Sequence, residues 1–280
     1  MKIAHAYRGL VRQITAVYDE REARNIARLV FEDAFGVRNL NREDELPTEQ
    51  ASRLQDIAQR LINGEPWQYI LGQADFYGLK FTVTSDTLIP RAETEELVYE
   101  ILQDHPVGSG RSVLDIGTGT GCIPLTLKEH RPNWAVAGLD VSQGALEVAS
   151  QNAAQLGSVV HFLQADILDE QSWPRFPVYD LIVSNPPYIP PSEARLMPKH
   201  VLEHEPHLAL FTDTENALVF YEVIARFAKA HLSSGGMLYY ELNEFNGAEV
   251  LKTVESQGFK MARLKQDMSG KPRILRAVKG

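Results

Sequence analysis

The sequence of 280 residues contains a single cysteine, Cys122. One thiol excludes an internal disulfide framework and any zinc site that needs several cysteines. Apolar runs of membrane-spanning length are also missing, and charged residues such as Arg8, Arg12 and Asp19 occupy the region where a signal peptide needs its apolar stretch. We therefore expect a cytoplasmic protein without a membrane partner.

Proline and glycine, with 15 and 19 residues, are too scarce for a collagen-like or low-complexity chain. Apolar residues make up 44% and charged residues 23%, a balance typical of folded domains. The net charge of −9 is unevenly distributed, since residues 89–259 hold 23 acidic and 10 basic side chains, whereas residues 260–279 hold 1 and 7. An acidic surface repels phosphate backbones, so we expect no direct sequence-specific binding of nucleic acid.

Two hydrophobic periodicities divide the chain. Apolar residues recur at helical spacing over 23–34 and 54–62, which predicts a small N-terminal helical bundle, and residues 76–83 predict two short strands joined near Gly78. From residue 111 onward, short apolar strands alternate with helices, which predicts an α/β fold with a doubly wound, mostly parallel sheet. The predicted strands are 112–116, 135–140, 159–166, 178–184 and 237–242, followed by an antiparallel edge hairpin of 259–266 and 272–278; the predicted helices between them are 122–130, 142–156, 217–232 and 248–257.

A glycine loop follows the first predicted strand of this sheet. It reads Asp115-Ile116-Gly117-Thr118-Gly119-Thr120-Gly121, and its glycines let the backbone approach a ligand that a Cβ would exclude. The dinucleotide fingerprint needs a glycine where Cys122 stands, so the loop favours another ligand. S-adenosylmethionine (SAM) has no pyrophosphate, and the Asp115 carboxylate suits its cationic groups. Other nucleotides, or a purely structural turn, remain alternatives for this loop alone.

Acidic residues end the next two predicted strands. Asp140 ends the second strand, where a carboxylate can accept both hydroxyls of a ribose, and Asp166 ends the third, where it can accept from an adenine amino group. Aspartate is also common in turns after strands, so each residue alone is compatible with a structural role. Three strand-end acids in succession favour a nucleoside site.

The fourth predicted strand leads into Asn185-Pro186-Pro187-Tyr188. The prolines hold Asn185 in an extended conformation and leave the Pro186 carbonyl free for a ligand. Asn185 Oδ1 and this carbonyl can accept the two N–H groups of a planar nitrogen, and both bonds strengthen as positive charge develops there. Tyr188 offers a flat face to the planar group. The tetrapeptide therefore predicts methyl transfer from SAM to an amide or exocyclic amine, without a strong general base or a metal ion.

The glycine loop together with Asn185-Pro186-Pro187-Tyr188 resembles the class I SAM-dependent methyltransferases that modify planar amino nitrogens. Further segments are similar to the peptide chain release factor glutamine methyltransferases, the PrmC/HemK family. They are Gly-Glu-Pro-Trp-Gln-Tyr-Ile-Leu-Gly at 64–72, Leu-Ile-Pro-Arg-Ala-Glu-Thr-Glu-Glu-Leu-Val at 88–98, and Glu-Pro-His-Leu-Ala-Leu at 205–210. The resemblance covers nearly the whole chain.

The resemblance implies a substrate-docking helical domain at 1–72, a β-hairpin connector at 73–88 and a methyltransferase domain with a seven-stranded sheet at 89–280. It implies N5-methylation of the glutamine in the Gly-Gly-Gln motif of class I release factors, with S-adenosylhomocysteine as the second product and an effect on translation termination. The implied cofactor residues are the glycine loop, Asp140 and Asn185, and residues 185–188 would grip the glutamine. We expect a monomer.

Three segments depart from the family pattern. Ala92 stands within the family's Arg-Pro-Glu-Thr, residues 212–215 replace a loop with two glycines, and Asn243 stands where the family has the glycine of Glu-x-Gly. These departures concern how the substrate is covered, and they leave the cofactor loop and the amide-gripping residues intact.

Three alternative functions stay open. A glutamine methyltransferase of a ribosomal protein would have the same active site. A nucleic-acid amino methyltransferase acting on adenine N6 is disfavoured by the acidic central segment and by the 92 residues after Tyr188, too few to complete the sheet and add a target-reading domain. A SAM-binding sensor without turnover is disfavoured by the intact Asn-Pro-Pro-Tyr.

Overall fold

The computed structural model describes residues 1–41 and 44–280. Its chain divides into two compact units, one formed by Met1–Gln73 with Pro198–His204 and the other by Ala74–Met197 with Glu205–Gly280. Within the described ranges, no helix has both the length and the apolar character needed to cross a bilayer. The assignment of residues 1–72 to substrate docking and of residues 73–88 to a connector stays a prediction.

The described residues form eleven helices and nine strands. The helices are α1 (Ile3–Ile14), α2 (Glu20–Phe35), α3 (Thr48–Ile62), α4 (Trp67–Leu71), α5 (Ala92–Asp104), α6 (Cys122–His130), α7 (Gln143–Leu156), α8 (Lys199–His204), α9 (His207–Leu210), α10 (Val219–His231) and α11 (Gly247–Ser256). The strands are β1 (Gln73–Phe76), β2 (Leu79–Thr82), β3 (Ser112–Ile116), β4 (Ala135–Asp140), β5 (His161–Gln164), β6 (Tyr179–Ser184), β7 (Leu232–Glu241), β8 (Phe259–Gln266) and β9 (Pro272–Lys279). Two short 3-10 segments lie at Glu170–Arg175 and Pro191–Leu196.

The first unit is a helical bundle, as the sequence predicts, built from α1 to α4 and α8. The apolar residues of α1, α2 and α3 follow helical spacing and are buried on one face of each helix. Helix α2 begins after Asp19, whose carboxylate accepts the N–H of Glu22 at 2.8 Å. It ends at Gly36, whose φ of 68° closes the helix in a left-handed conformation.

The second unit contains the predicted α/β fold. Its main sheet has seven strands in the order β5-β4-β3-β6-β7-β9-β8. The first five in this order, β5, β4, β3, β6 and β7, are parallel, and β9 pairs antiparallel with both β7 and β8. Alternate residues of each central strand face opposite sides of the sheet. Leu114 packs with α10 and α11 on one side, whereas Val113 packs with α5 and α6 on the other. The doubly wound sheet with its antiparallel edge hairpin is confirmed.

Strands β3 and β4 match their predicted bounds, but the prediction that Asp166 ends the third strand is wrong. Of the predicted third strand, only residues 161–164 pair with β4, because β4 itself ends at Asp140, opposite Gln164. The N–H of Ala165 then donates to the Asp140 carbonyl at 3.1 Å, and the chain leaves the sheet. Asp166 therefore lies in the loop after β5.

Candidate active site

The strand order reverses between β3 and β6, so the loops that follow these strands diverge and open a crevice at the carboxyl edge of the sheet. A cavity of about 260 Å³ lies in this crevice. Four loops contribute to its wall, those after β3, β4, β5 and β6, together with the segment 85–91 that precedes α5. The cavity thus gathers most of the site residues predicted from the sequence.

The glycine loop is held against the neighbouring strand. The N–H groups of Gly117 and Thr118 both donate to the carbonyl of Leu139, at 2.8 and 3.0 Å. Gly117, Gly119 and Gly121 have φ values of 76°, 52° and 77°, in the left-handed region that favours glycine. Residues 117–120 line the cavity, whereas Gly121 lies behind them at the start of α6.

Asp140 connects the glycine loop to the end of β4. Its Oδ2 accepts the N–H of Gly119 at 2.9 Å, and its Oδ1 accepts the N–H of Ser142 at 3.0 Å. Burial raises the pKa of this carboxyl, while the backbone N–H groups oppose the rise by favouring the charged form. Each carboxylate oxygen keeps further lone-pair capacity for hydroxyl donors in the cavity.

Asp115 in β3 and Thr118 in the glycine loop have unpaired polar atoms. Both carboxylate oxygens of Asp115 and Oγ1 of Thr118 are buried and have no hydrogen-bond partner among the residues that the structure describes. Burial raises the pKa of Asp115 to about 7. Thr118 lines the cavity; Asp115 does not. An unpaired buried hydroxyl is costly, which favours a ligand in the cavity that pairs with Thr118.

Asp166 is an exposed residue of the cavity wall. Its Oδ1 accepts the N–H of Leu168 at 2.8 Å, which fixes the turn after β5. Although the strand ends earlier than predicted, the residue still reaches the same cavity as Asp140.

The Asn-Pro-Pro-Tyr tetrapeptide begins directly after β6. Ser184, the last residue of the strand, donates its hydroxyl to the Ile116 carbonyl at 2.7 Å and so ties β6 to β3 where the strand order reverses. Asn185, Pro186 and Pro187 line the cavity beside the glycine loop. Tyr188 does not line it but packs against the apolar cluster around α10, and burial raises its pKa.

Two residues that were not predicted from the sequence, Thr94 and Glu241, support this tetrapeptide. The Nδ2 of Asn185 donates to the Thr94 hydroxyl oxygen at 3.3 Å, and the Thr94 hydroxyl donates to Oε2 of Glu241 at 2.6 Å. Thr94 lies in the first turn of α5, and Glu241 is the last residue of β7. The apolar residues Leu97, Val98, Ile101 and Leu102 continue from Thr94 at helical spacing, a signal that would have predicted α5.

The ion pair of Arg91 and Glu205 was also not predicted from the sequence. Both carboxylate oxygens accept from the guanidinium, at 2.5 and 2.7 Å, and the Glu205 side chain is buried while Arg91 lines the cavity. Arg91 precedes Ala92, the first residue of α5, where the family has proline. Proline is favoured at the first helical position, and alanine there is fully compatible with the same helix start.

Two family models match the chain, one described as "Methyltransferase small domain" over residues 93–204 and one described as "PrmC N-terminal domain" over residues 6–72. The release factor glutamine methyltransferase of Flavobacterium psychrophilum is 36% identical over 273 residues, which cover 95% of each chain. That of Bacteroides thetaiotaomicron is 37% identical over 265 residues, 93% of this chain and 94% of the relative. A solved methyltransferase structure from Pyrococcus furiosus has a TM-score of 0.54 at 17% identity and covers 84% of this chain and 100% of that chain; this likeness shows the fold.

The order of the strands, the glycine loop and the cavity where the strand order reverses define a class I methyltransferase. The match to the two curated relatives extends over more than nine tenths of the chain at 36–37% identity. The chain belongs to the release factor glutamine methyltransferase family, as the resemblance in its sequence indicates.

Proposed function

We propose that this protein transfers a methyl group from SAM to the side-chain amide nitrogen, N5, of the glutamine in the Gly-Gly-Gln motif of class I release factors. The observation that carries the proposal is the cavity that brings Asn185 and Pro186 beside the glycine loop and Asp140, in a chain of this family. We further propose that the enzyme acts as a monomer in the cytoplasm and modulates translation termination without binding nucleic acid directly.

The donors and acceptors of the cavity fit SAM. The Asp140 carboxylate suits the two ribose hydroxyls, and Asp166 suits the adenine amino group. At Gly119 a Cβ would meet no atom of the described residues within 4 Å, so the loop leaves open space at the cavity wall. The Thr118 hydroxyl lines the cavity without a hydrogen-bond partner among the described residues and offers a polar contact to the ligand. When bound, SAM supplies a methyl group on a sulfonium sulfur that leaves readily.

The residues of the tetrapeptide suit an amide substrate. Asn185 Oδ1 and the Pro186 carbonyl accept the two N–H groups of the glutamine amide and orient its nitrogen toward the methyl group. As the lone pair leaves conjugation, positive charge develops on nitrogen and both hydrogen bonds strengthen, which lowers the barrier. Pro187 lines the cavity beside them, whereas Tyr188 packs against the apolar cluster around α10 and supports the tetrapeptide from behind. The N-methylated, protonated amide is a strong acid and loses its proton to water, so no strong base is needed.

The test uses methyl-labelled SAM and the release factors of the same organism, each as wild type and with the Gly-Gly-Gln glutamine changed to alanine. We expect label on the wild-type factor and none on the alanine variant. The variant Asn185→Ala should bind SAM within a few fold of wild type and lose roughly 100-fold or more in transfer, as for the loss of one group that stabilises developing charge. The matched control Asn133→Ala removes an exposed asparagine whose Nδ2 donates to the Gly108 carbonyl, and should leave transfer unchanged.

Ribosomal proteins and DNA serve as parallel substrates. Label on a ribosomal protein glutamine, with none on release factors, would replace the proposed substrate by the related one. Label on adenine N6 would move the function to nucleic acid. Tight SAM binding without label on any substrate would favour a sensor, and unaltered transfer by Asn185→Ala would remove Asn185 from the mechanism.

A further inference from the structure

We propose that Thr94 and Glu241 are positioning residues that set the orientation of the Asn185 side-chain amide, so that Oδ1 and not Nδ2 is presented to the substrate nitrogen. This inference rests on the proposed function of the cavity. Thr94 and Asn185 both line the cavity, while Glu241 stands behind them and is buried. The three side chains come from α5, the β6 loop and β7, which only the folded sheet brings together.

The direction of the hydrogen bonds determines the orientation of the amide. An ionised Glu241 carboxylate can only accept, so the Thr94 hydroxyl, 2.6 Å away, must donate its proton to Oε2. The Thr94 oxygen is then left with lone pairs alone and acts as an acceptor toward Asn185. Of the two polar atoms of the Asn185 amide only Nδ2 can donate, and it lies 3.3 Å from Thr94 Oγ1. Oδ1 is thereby freed for the cavity.

The orientation matters because the two amide atoms have opposite hydrogen-bonding roles. A glutamine amide nitrogen brings two N–H donors, which Oδ1 can accept and Nδ2 cannot. With the Asn185 amide reversed, two NH₂ groups would face each other and the stabilising contact would become a repulsive one. The chain from Glu241 through Thr94 therefore acts on the transition state, in which the bond to Asn185 Oδ1 is strongest.

Protonation of Glu241 would release this constraint. A neutral carboxyl can donate to the Thr94 oxygen, and the Thr94 hydroxyl is then free to donate to Asn185 Oδ1, which reverses the amide. Burial raises the pKa of Glu241 to about 7, which brings this change within the range of ordinary assays. The charged and titratable side chains that act on Glu241 or feel its charge are Arg91, Glu93, Cys122, Tyr188, Tyr221 and Arg273.

The experiment compares four variants at saturating SAM and release factor. Thr94→Val keeps the volume and removes the hydroxyl, Thr94→Ser keeps the hydroxyl, and Glu241→Gln removes the charge. The matched control is Thr126→Val, which deletes another buried hydroxyl, one without a hydrogen-bond partner among the described residues. Melting temperatures and SAM affinity, measured in parallel, identify any variant that does not fold.

We expect Thr94→Val to lower kcat by about 10-fold or more, with SAM affinity changed by less than about 3-fold, because the lost constraint acts on the transition state. Thr94→Ser should recover most of this loss, and Thr126→Val should match wild type. In wild type, kcat should rise with pH through the region near 7, since the active form needs an ionised Glu241. Glu241→Gln should abolish that rise. Asp115 titrates in the same region, but it precedes the glycine loop and has no hydrogen bond to Glu241, Thr94 or Asn185 among the described residues, so its titration should act on SAM affinity through the loop instead.

Two results would overturn the inference: a kcat for Thr94→Val equal to that of Thr126→Val, or an unchanged pH dependence of kcat in Glu241→Gln. A second readout does not depend on the substrate. In protein labelled with ¹⁵N-asparagine, the Nδ2 resonance of Asn185, assigned by its loss in Asn185→Ala, should titrate near pH 7 in wild type and not in Glu241→Gln. If release factors take no label but this resonance titrates, the proposed function is refuted and the positioning role of Thr94 and Glu241 is supported. If the chemical shift of the Nδ2 resonance does not change with pH in wild type, the positioning role itself is refuted.

Discussion

The carboxylate of Asp140 accepts the backbone N–H of Gly119 at 2.9 Å and so fastens the glycine loop to the end of the neighbouring strand. Its other oxygen accepts the N–H of Ser142, two residues further along the chain. One side chain thus orders two backbone segments of the cavity wall. Under the proposed function, its remaining lone pairs would accept the ribose hydroxyls of SAM, so loop geometry and cofactor binding would depend on the same carboxylate.

We expect Asp140→Asn to weaken SAM binding, because the amide has one acceptor oxygen and its NH₂ group would face a backbone N–H. Hydrogen bonds to charged groups contribute about 1.5–3 kcal/mol, which corresponds to roughly a 10- to 100-fold rise in the Kd for SAM. Isothermal titration calorimetry measures this Kd. The control Asp169→Asn alters an exposed carboxylate that also accepts an N–H two residues on, from Gln171, outside the cavity. Equal Kd values for the two variants would exclude Asp140 from the cofactor site.

Gly119 and Gly121 should respond differently to alanine. Both have positive φ, which costs alanine about 1–2 kcal/mol. At Gly121 a Cβ would also lie 3.0 Å from Leu125 Cδ1 and 3.2 Å from Ala149 Cβ, an overpacking that adds about 1–3 kcal/mol. Gly121→Ala should therefore lose more stability in urea unfolding, whereas Gly119→Ala should lose more SAM affinity, since Gly119 lines the cavity. Equal losses of stability and of SAM affinity in the two variants would contradict the assignment of Gly121 to packing and of Gly119 to ligand binding.

The buried carboxyl of Asp115 predicts a pH dependence of stability without ligand. Its pKa is about 7 in the folded protein, against about 3.9 in an unfolded chain. Between these values the folded state holds a proton that the unfolded state has released, so the free energy of unfolding falls as pH rises. Asp115→Asn should remove that contribution, and the slope of its stability curve should differ from wild type by up to about 1.4 kcal/mol per pH unit.

The comparison must be made between variants, because other groups titrate in the same window. Glu241, with its pKa near 7, contributes in the same direction as Asp115. His105 acts oppositely: burial lowers its pKa to about 4, so stability rises as pH increases from there toward the ordinary histidine value. Urea unfolding from pH 4 to pH 8 would give the difference curve. A wild-type to Asp115→Asn difference that stays constant over this range would show that Asp115 is already ionised in the fold.

Much of the fold and half of the site could be predicted because their signals are local. The bounds of β3 and β4 follow from short apolar runs, and the glycine loop and the Asn185 tetrapeptide each lie within a few consecutive residues. Parallel strands then bring these loops to one edge of the sheet by topology alone. The bounds of β5 were less predictable, because an edge strand is limited by its partner's length and not by its own composition.

The supporting residues escaped prediction because their partners are distant in sequence. Thr94 and Glu241 are separated by 147 residues, and Arg91 and Glu205 by 114. Each of the four is polar and of a type that is usually exposed. The apolar spacing after Thr94 indicates the helix α5, but no local pattern identifies the partner of any of the four residues. Only the register of β7 beside β6 and the docking of α5 bring Glu241 and Thr94 behind Asn185.

Asn152 connects the β1–β2 hairpin to the glycine loop, a connection that the sequence does not reveal. It is fully buried on α7; its Oδ1 accepts the N–H of Thr82 at 2.7 Å, and its Nδ2 donates to the carbonyls of Thr82 and Thr120 at 3.0 and 2.9 Å. Thr82 ends β2, and Thr120 belongs to the cavity wall. One amide therefore satisfies three backbone groups and joins two segments to a helix.

We expect Asn152→Ala to destabilise the protein by about 3 kcal/mol, since each buried group left unpaired costs about 1–3 kcal/mol and part of the loss is recovered by water entry. For a domain of this size the melting temperature should fall by roughly 6–12 °C. Because Thr120 loses its anchor, SAM affinity should fall as well, and saturating SAM should restore part of the melting temperature. Asn133→Ala, with its single exposed hydrogen bond, is the control. If the two variants have equal melting temperatures, the three hydrogen bonds of Asn152 do not hold the glycine loop. The loop must then be ordered by its hydrogen bonds to Asp140 and to the Leu139 carbonyl.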